Sequence, residues 1–227
     1  MNRDVGILIN SHINGNTALE WLLKSMNDVK LRILVVIGGA KENICCKHVN
    51  NNVYKCYVKH NSIDMTGMIC LLENNREIEQ IMNGLPKRWF YIHDTCEITD
   101  RDLFVRRCIE TKETTRLVTK RPSMNIGMYS YEDILRTKEM ILKKKSKEKN
   151  MTRQEIEEQK KDVIRCEDML FKKLMIKSGM SEVETLQEKF VYPSSNVQRI
   201  IEVYKDVGLK KYKANYCGLG GKVILDN

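Results

Sequence analysis

The sequence predicts an α/β fold: a mostly parallel sheet flanked by helices, with a charged helical hairpin inserted near residues 131–177. Three observations carry this expectation. Residues 31–39, LRILVVIGG, form a continuous apolar run ended by two glycines, the pattern of a strand buried on both faces. A short apolar run at 5–10 and a helix-periodic stretch at 17–26 precede it, so the N-terminus reads as strand, helix, strand, a parallel βαβ unit. Residues 131–177 contain no Gly or Pro and are dense in Lys, Glu, Gln, Met and Leu, all good helix formers.

The elements follow in order. VGILIN, 5–10, is a β-branched apolar run closed by the polar loop Ser11–Asn16. TALEWLLKSM places Leu19, Leu22, Leu23 and Met26 on one helical face, with Thr17 and Glu20 spaced as a capping box. VYKCYV, 53–58, alternates and reads as a strand, followed by the loop His60–Asp64. MTGMICLLE reads as a helix capped by Ser62 or Asp64. Helix continues through 77–83 until Gly84-Leu85-Pro86 stops it. The run 88–92, RWFYI, is a buried strand that ends abruptly at His93-Asp94-Thr95. DRDLFVRRCIE is a short amphipathic helix, TTRLVTK (114–120) a strand, and SMNIGMYS (123–130) a strand or extended loop. Beyond Tyr131 two helices are expected, 131–147 and 152–177. Thr152 and Glu155 cap the second, and Ile156, Val163, Leu170 and Leu174 form an apolar stripe along it. Residues 197–208 read as another helix and the VIL of the tail as a final strand. The glycine-rich GLGG, 218–221, lacks the Lys-Ser/Thr of a phosphate loop and reads as a turn; a lid that brings Lys222 to a diphosphate is the alternative.

The totals bound the class. A chain of 227 residues with 42% hydrophobic content can fill a core, and it is read as one domain, 1–227. No apolar run reaches the roughly 18–20 residues of a membrane span, and no secretory leader is expected. The eight cysteines show no CxxC and no zinc-ligand spacing. Free, buried thiols in an intracellular, soluble protein are expected. The net charge of +9 is concentrated in residues 136–177, where 14 Lys/Arg face 8 Asp/Glu. That segment is either a solvated hairpin packed on the sheet, a surface for an anionic membrane, or a nucleic-acid contact. Nucleic acid is the weakest of the three, because Phe171 is the sole aromatic between Tyr131 and Phe190. The stripe of the 152–177 helix could also pair two subunits.

In an open α/β sheet, ligands bind where loops leave the carboxyl ends of the strands. Here those loops are Ser11–Asn16, Gly38–Ala40, His60–Asp64 and His93–Glu97. Asp94 at such an end either caps a turn or ligates a hard cation. Mg²⁺ or Mn²⁺ typically keeps one or two protein carboxylates and takes phosphates and waters for the rest.

Four segments, VGILINSHING, NSIDMTGM, FYIHDTCEI and SMNIGMYS, resemble the corresponding parts of the GT-A fold glycosyltransferases, which use nucleotide-sugars. The resemblance covers about residues 1–135 plus the tail. It implies a GT-A-like sheet with residues 1–100 as the nucleotide-binding half, and with 101–130 and 190–227 on the acceptor side. It also implies a nucleotide-sugar donor, a glycan or glycoconjugate acceptor and a divalent cation, Mn²⁺ or Mg²⁺. On it, Asp94 meets metal and diphosphate. Asn10, Ser11 and His12 line the nucleotide pocket with Asn61 and Asp64, and His93 or Thr95 stands where a second acid is usual. No histidine follows His93, so a C-terminal histidine ligand is missing. Glu132 and Asp133 are the candidates for the base that deprotonates the acceptor hydroxyl; the other reading makes them first-turn acids of a helix. The rival function is a non-enzymatic module that binds an anionic partner through 136–177.

Overall fold

The computed structural model describes residues 3–13, 16–50, 52–117, 126–146, 155, 158–159, 162, 177–178, 184–186 and 200–213. The chain opens with β1 (Val5–His12), α1 (Asn16–Ser25), β2 (Arg32–Gly38), β3 (Ile44–Asn50) and β4 (Val53–Val58). A 3-10 turn (Ile63–Met65) leads into α2 (Thr66–Glu73) and α3 (Asn75–Met82). Then come β5 (Arg88–His93), β6 (Cys96–Ile98), α4 (Arg101–Glu110), β7 (Thr115–Arg116), β8 (Gly127–Ser130), α5 (Tyr131–Arg136) and α6 (Lys138–Leu142). The described strands β9 (Lys177–Ser178), β10 (Glu184–Leu186), β11 (Ile200–Tyr204) and β12 (Leu209–Lys213) complete it.

Two sheets result. The large one has the order β3-β4-β2-β1-β5-β8-β7-β9. Its centre, β4-β2-β1-β5, is parallel. Both flanking strands, β3 and β8, run antiparallel to it. The small antiparallel sheet, β10-β11-β12-β6, begins where β5 has just ended.

Period-2 alternation sorts the strand side chains into two cores. Ile7, Ile9, Ile33, Val35, Ile37, Phe90 and Ile92 face one side, under Leu19 and Leu22 of α1, Met26 just after it and Phe104 of α4. Leu8, Leu34, Val36, Trp89 and Tyr91 face the other, under α2, α3, α5 and α6. With helices on both faces, every residue of β2 is buried, which is why its sequence carries no polar alternation. The Phe90 and Phe104 rings meet edge to face at 4.9 Å, a favoured aromatic geometry. Cys46, Cys56, Cys70, Cys96 and Cys108 are buried thiols outside any disulfide, as expected. Among the described residues no helix is long and apolar enough to cross a membrane.

Several expectations need correction. Residues 200–204 are a strand, not part of a helix. The β-branched Ile200, Ile201 and Val203 suit extended backbone, and a turn at 205–208, with Gly208 at φ +68, closes the hairpin onto β12. The helix expected at 131–147 is split into α5 and α6. Thr137, between them, donates its Oγ1 to the Asp133 carbonyl at 2.8 Å, a back-bond that bends helices. Helix does not reach 177, because Lys177–Ser178 pair in parallel with β7. Residues 155, 158, 159 and 162 are helical; Thr152 and the stripe Ile156, Val163, Leu170 and Leu174 lie outside the described residues, as do GLGG and the tail from 214. Helix α1 begins at Asn16, so Thr17 lies within its first turn. Strands β3, β6, β10 and β12 have no counterpart among the expected elements.

Candidate functional site

From β1 the chain runs outward to β2 and β4 on one side and then crosses back to β5 on the other, so the order of the sheet reverses between β1 and β5. A crevice at the carboxyl ends of two such strands is where open α/β sheets bind ligands. Asn10 stands in register with His93, and His12 with Gly38. The sequence-predicted residues Asn10, Ser11, His12, Asn61, Asp64, His93, Asp94 and Thr95 all lie at this one edge.

Asn10 builds the floor. Its Nδ2 donates to the Ile63 carbonyl at 2.9 Å and its Oδ1 accepts from the Gly67 N–H at 2.8 Å. Both ends of its amide are therefore committed to the loop before α2, and Asn10 acts by holding that loop. Thr66 Oγ1 also donates to the Ile63 carbonyl, at 3.1 Å, and Asn61 Oδ1 accepts from the Ile63 N–H at 3.2 Å. Ile63 needs this grip, since its φ of +52 lies in the left-handed region, where a β-branched residue is strained.

The acids sit on either side. Ser11 Oγ donates to Asp94 Oδ2 at 2.7 Å, and the Asp94 N–H donates to the Asn10 carbonyl at 3.1 Å. Burial pushes the Asp94 carboxyl up to about 6. The Ser11 and Thr95 donors pull it back and the charge of Asp64 adds to the rise. Asp64 in turn lies 3.4 Å from His93 Nδ1, and its carbonyl accepts from Tyr91 OH at 2.5 Å. The Asp64 charge thus lies close enough to the Asp94 carboxyl to disfavour its ionisation. His12 closes the rim. Burial holds its pKa down. Its Nε2 would crowd a Cβ at Gly39, and Gly39 has φ +76, so glycine is favoured there.

Among the described residues no group of three His, Cys, Asp or Glu could hold a metal ion by itself. The donor set fits a hard cation that arrives with phosphate and water ligands and needs one or two carboxylates, here Asp94 and Asp64.

Glu132 and Asp133 are not brought to this edge. β8 runs antiparallel to β5 with Ser130 opposite Arg88, so α5 starts at the amino end of β5, about 20 Å along the strand from Asp94. Asp133 receives hydrogen bonds there from Thr114 Oγ1 and, at 2.6 Å, from Arg136, and its N–H is capped by Ser130 Oγ at 3.0 Å. Glu132 is exposed in the same first turn.

The basic segment is partly committed within the molecule. Lys144 pairs with Asp162 at 2.7 Å and Lys145 with Glu73 at 3.0 Å. The Ser146 N–H donates to Ser62 Oγ at 3.0 Å, and that hydroxyl also meets His60 Nδ1 at 2.9 Å. Ser146 therefore ties the end of this run to the His60–Asp64 loop.

Sequence reasoning missed Glu202 and Lys211. Both belong to the small sheet, Lys211 on the strand paired with β6 beside the Asp94 turn and Glu202 one strand further out. The one available signal was a lone carboxylate in the apolar run IIEVY. A separate cavity of about 350 Å³, lined by Leu23, Met26, Val29, Ile33 and Val53, lies at the amino ends of β2 and β4, away from the crevice.

No family model, no curated protein and no solved structure matches this chain.

Proposed function

We propose that the chain is a nucleotide-sugar-dependent glycosyltransferase of the GT-A kind, transferring a sugar from a nucleoside-diphosphate-sugar to a hydroxyl of a glycan or glycoconjugate. The observation that carries the reading is the crevice between β1 and β5, where Asn10, Ser11, Asp64, His93 and Asp94 converge from three separate loops. The central strands β4-β2-β1-β5 run parallel, which supports the reading at the level of an α/β sheet.

In this reading Asn10 fixes the loop 61–67 as one wall of the nucleotide pocket, and Asn61 and Asp64 face the donor. Ser11 orients the Asp94 carboxylate, and His93 holds Asp64 opposite it. A divalent cation bound between these carboxylates and the donor would neutralise the diphosphate as it leaves. The acceptor hydroxyl oxygen bonds to the anomeric carbon and gives up its proton to solvent, the bond from that carbon to the diphosphate oxygen breaks, and nucleoside diphosphate departs. Glu132 and Asp133 take no part in the chemistry, because they stand at the far end of β5.

The test is release of nucleoside diphosphate from a panel of nucleotide-sugars, with Mn²⁺ or Mg²⁺ and a mixed set of sugar acceptors. One donor is expected to turn over, with a loss of at least about a hundredfold in Asp94→Ala and full activity in Glu132→Gln. Turnover unchanged in Asp94→Ala would remove Asp94 from the site.

A further inference from the structure

The inner face of the small sheet is apolar in one row and charged in the next. Ile98, Leu209 and Tyr204 stand side by side across β6, β12 and β11, all buried. The adjacent row, nearer the Asp94 turn, is Cys96, Lys211 and Glu202. Glu202 is only 6% exposed and accepts from Tyr204 OH at 2.9 Å. Lys211 lies directly between Glu202 and Cys96 and is half-buried. An ammonium and a carboxylate set in such a face cost desolvation energy that apolar side chains would avoid.

The place of this row suggests its use. Cys96 follows Asp94 by two residues, and the Tyr212 N–H donates to the Thr95 carbonyl at 2.9 Å, so β12 is clamped onto the turn that presents Asp94. Cys96, Lys211 and Glu202 thus stand in one row across β6, β12 and β11, beginning two residues after Asp94. Lys210, by contrast, stands in register with Glu97 on the opposite face, where Glu97 also accepts from Tyr212 OH.

We infer that Lys211 is a phosphate-binding residue: its ammonium, positioned by Glu202 across the β11–β12 pair, takes up negative charge from a diphosphate held at the Asp94 turn. This rests on the reading of the β1/β5 crevice as a nucleotide-diphosphate site and adds to it a contact from the small sheet. The ligand class is a diphosphate group, whether carried by a nucleotide or free as inorganic pyrophosphate. Glu202 is a positioning residue that keeps the lysine extended along the row.

The experiment is calorimetric titration of the full chain with UDP, GDP, ADP, CDP, the matching nucleosides and inorganic pyrophosphate, in wild type, Lys211→Met and Lys211→Arg. Methionine keeps the stem that packs in the row and removes the charge, and a melting curve checks that each variant is folded. The expected result is a loss of roughly tenfold or more in diphosphate affinity for Lys211→Met, as for removal of one charge-assisted contact. Nucleoside affinity should be unchanged, and Lys211→Arg should stay within about threefold of wild type. Diphosphate affinity retained in folded Lys211→Met overturns the inference and leaves the transferase reading standing. Pyrophosphate binding that depends on Lys211, without binding of any nucleotide, supports the inference and sinks the transferase reading. Equal losses for nucleoside and diphosphate would show that Lys211 acts only through packing, which also overturns it.

Discussion

Ser11 Oγ donates to Asp94 Oδ2 at 2.7 Å, tying together the carboxyl ends of two neighbouring strands that are 83 residues apart in sequence. This bond fixes the rotamer of a buried carboxylate at the mouth of the crevice.

Despite that bond, burial makes the site costly to keep charged. The Asp94 carboxyl is raised to about 6, chiefly by burial, against about 4 in an unfolded chain. A folded-state pKa above the unfolded one means that the group's stabilising contribution is present below pH 4 and is lost as pH rises through about 6. Asp94→Asn removes that loss. The variant is expected to be more stable than wild type at pH 7.5 by about 1–3 kcal/mol, with the difference vanishing near pH 4. Urea melts across pH 4–8 measure it. A variant no more stable than wild type at pH 7.5 would show that Asp94 is not held against its own charge.

Asn10 holds the Ile63 carbonyl and the Gly67 N–H with one amide. Asn10→Leu leaves both backbone groups buried without that partner and should cost about 2–4 kcal/mol. Chemical denaturation reads the loss. Nucleotide affinity should fall as well, because the loop bearing Asn61 and Asp64 loses its anchor.

Ile63 sits at φ +52. Ile63→Asn places there a residue that tolerates the left-handed region. The melting temperature should rise by about 2–4 °C, the shift that about 1 kcal/mol gives in a chain of this size. A fall of similar size would mean that Ile63 packing outweighs its strain.

Lys144 and Lys145 form partly exposed ion pairs with Asp162 and Glu73, each worth less than about 1 kcal/mol. The triple variant Lys143→Glu, Lys144→Glu, Lys145→Glu should fold and bind nucleotide as wild type does. Loss of polyanion retention together with intact nucleotide binding fits the transferase reading. A variant that loses a salt-dependent biological partner while the wild type binds no nucleotide would favour the anionic-surface alternative.

Much of the parallel half was legible in the sequence, because burial on both faces writes a strand such as 31–38 as an unbroken apolar run. The crevice residues were legible for a related reason: each polar loop follows directly on such a run. The small sheet was not. Its inner face mixes Glu202 and Lys211 with Tyr204 and Leu209, so residues 200–204 fit a helical period as well as an extended one. Glu132 and Asp133 seemed close to the site because they follow a strand, as Asp94 does. What the residues alone could not tell was that β8 runs against β5, which sends its carboxyl end to the opposite edge. The role of Asn10 was hidden as well, since its partners lie 53 and 57 residues away and are backbone atoms.

The most direct test of the central claim is a thermal-shift panel of nucleoside diphosphates and nucleotide-sugars, each with and without Mn²⁺, on wild type and Asp94→Ala. The account predicts stabilisation by ligands of one base, strengthened by Mn²⁺, of roughly 2.7 kcal/mol at a hundredfold excess over the dissociation constant, and lost in Asp94→Ala. Silence across the whole panel in well-folded wild-type protein would contradict it.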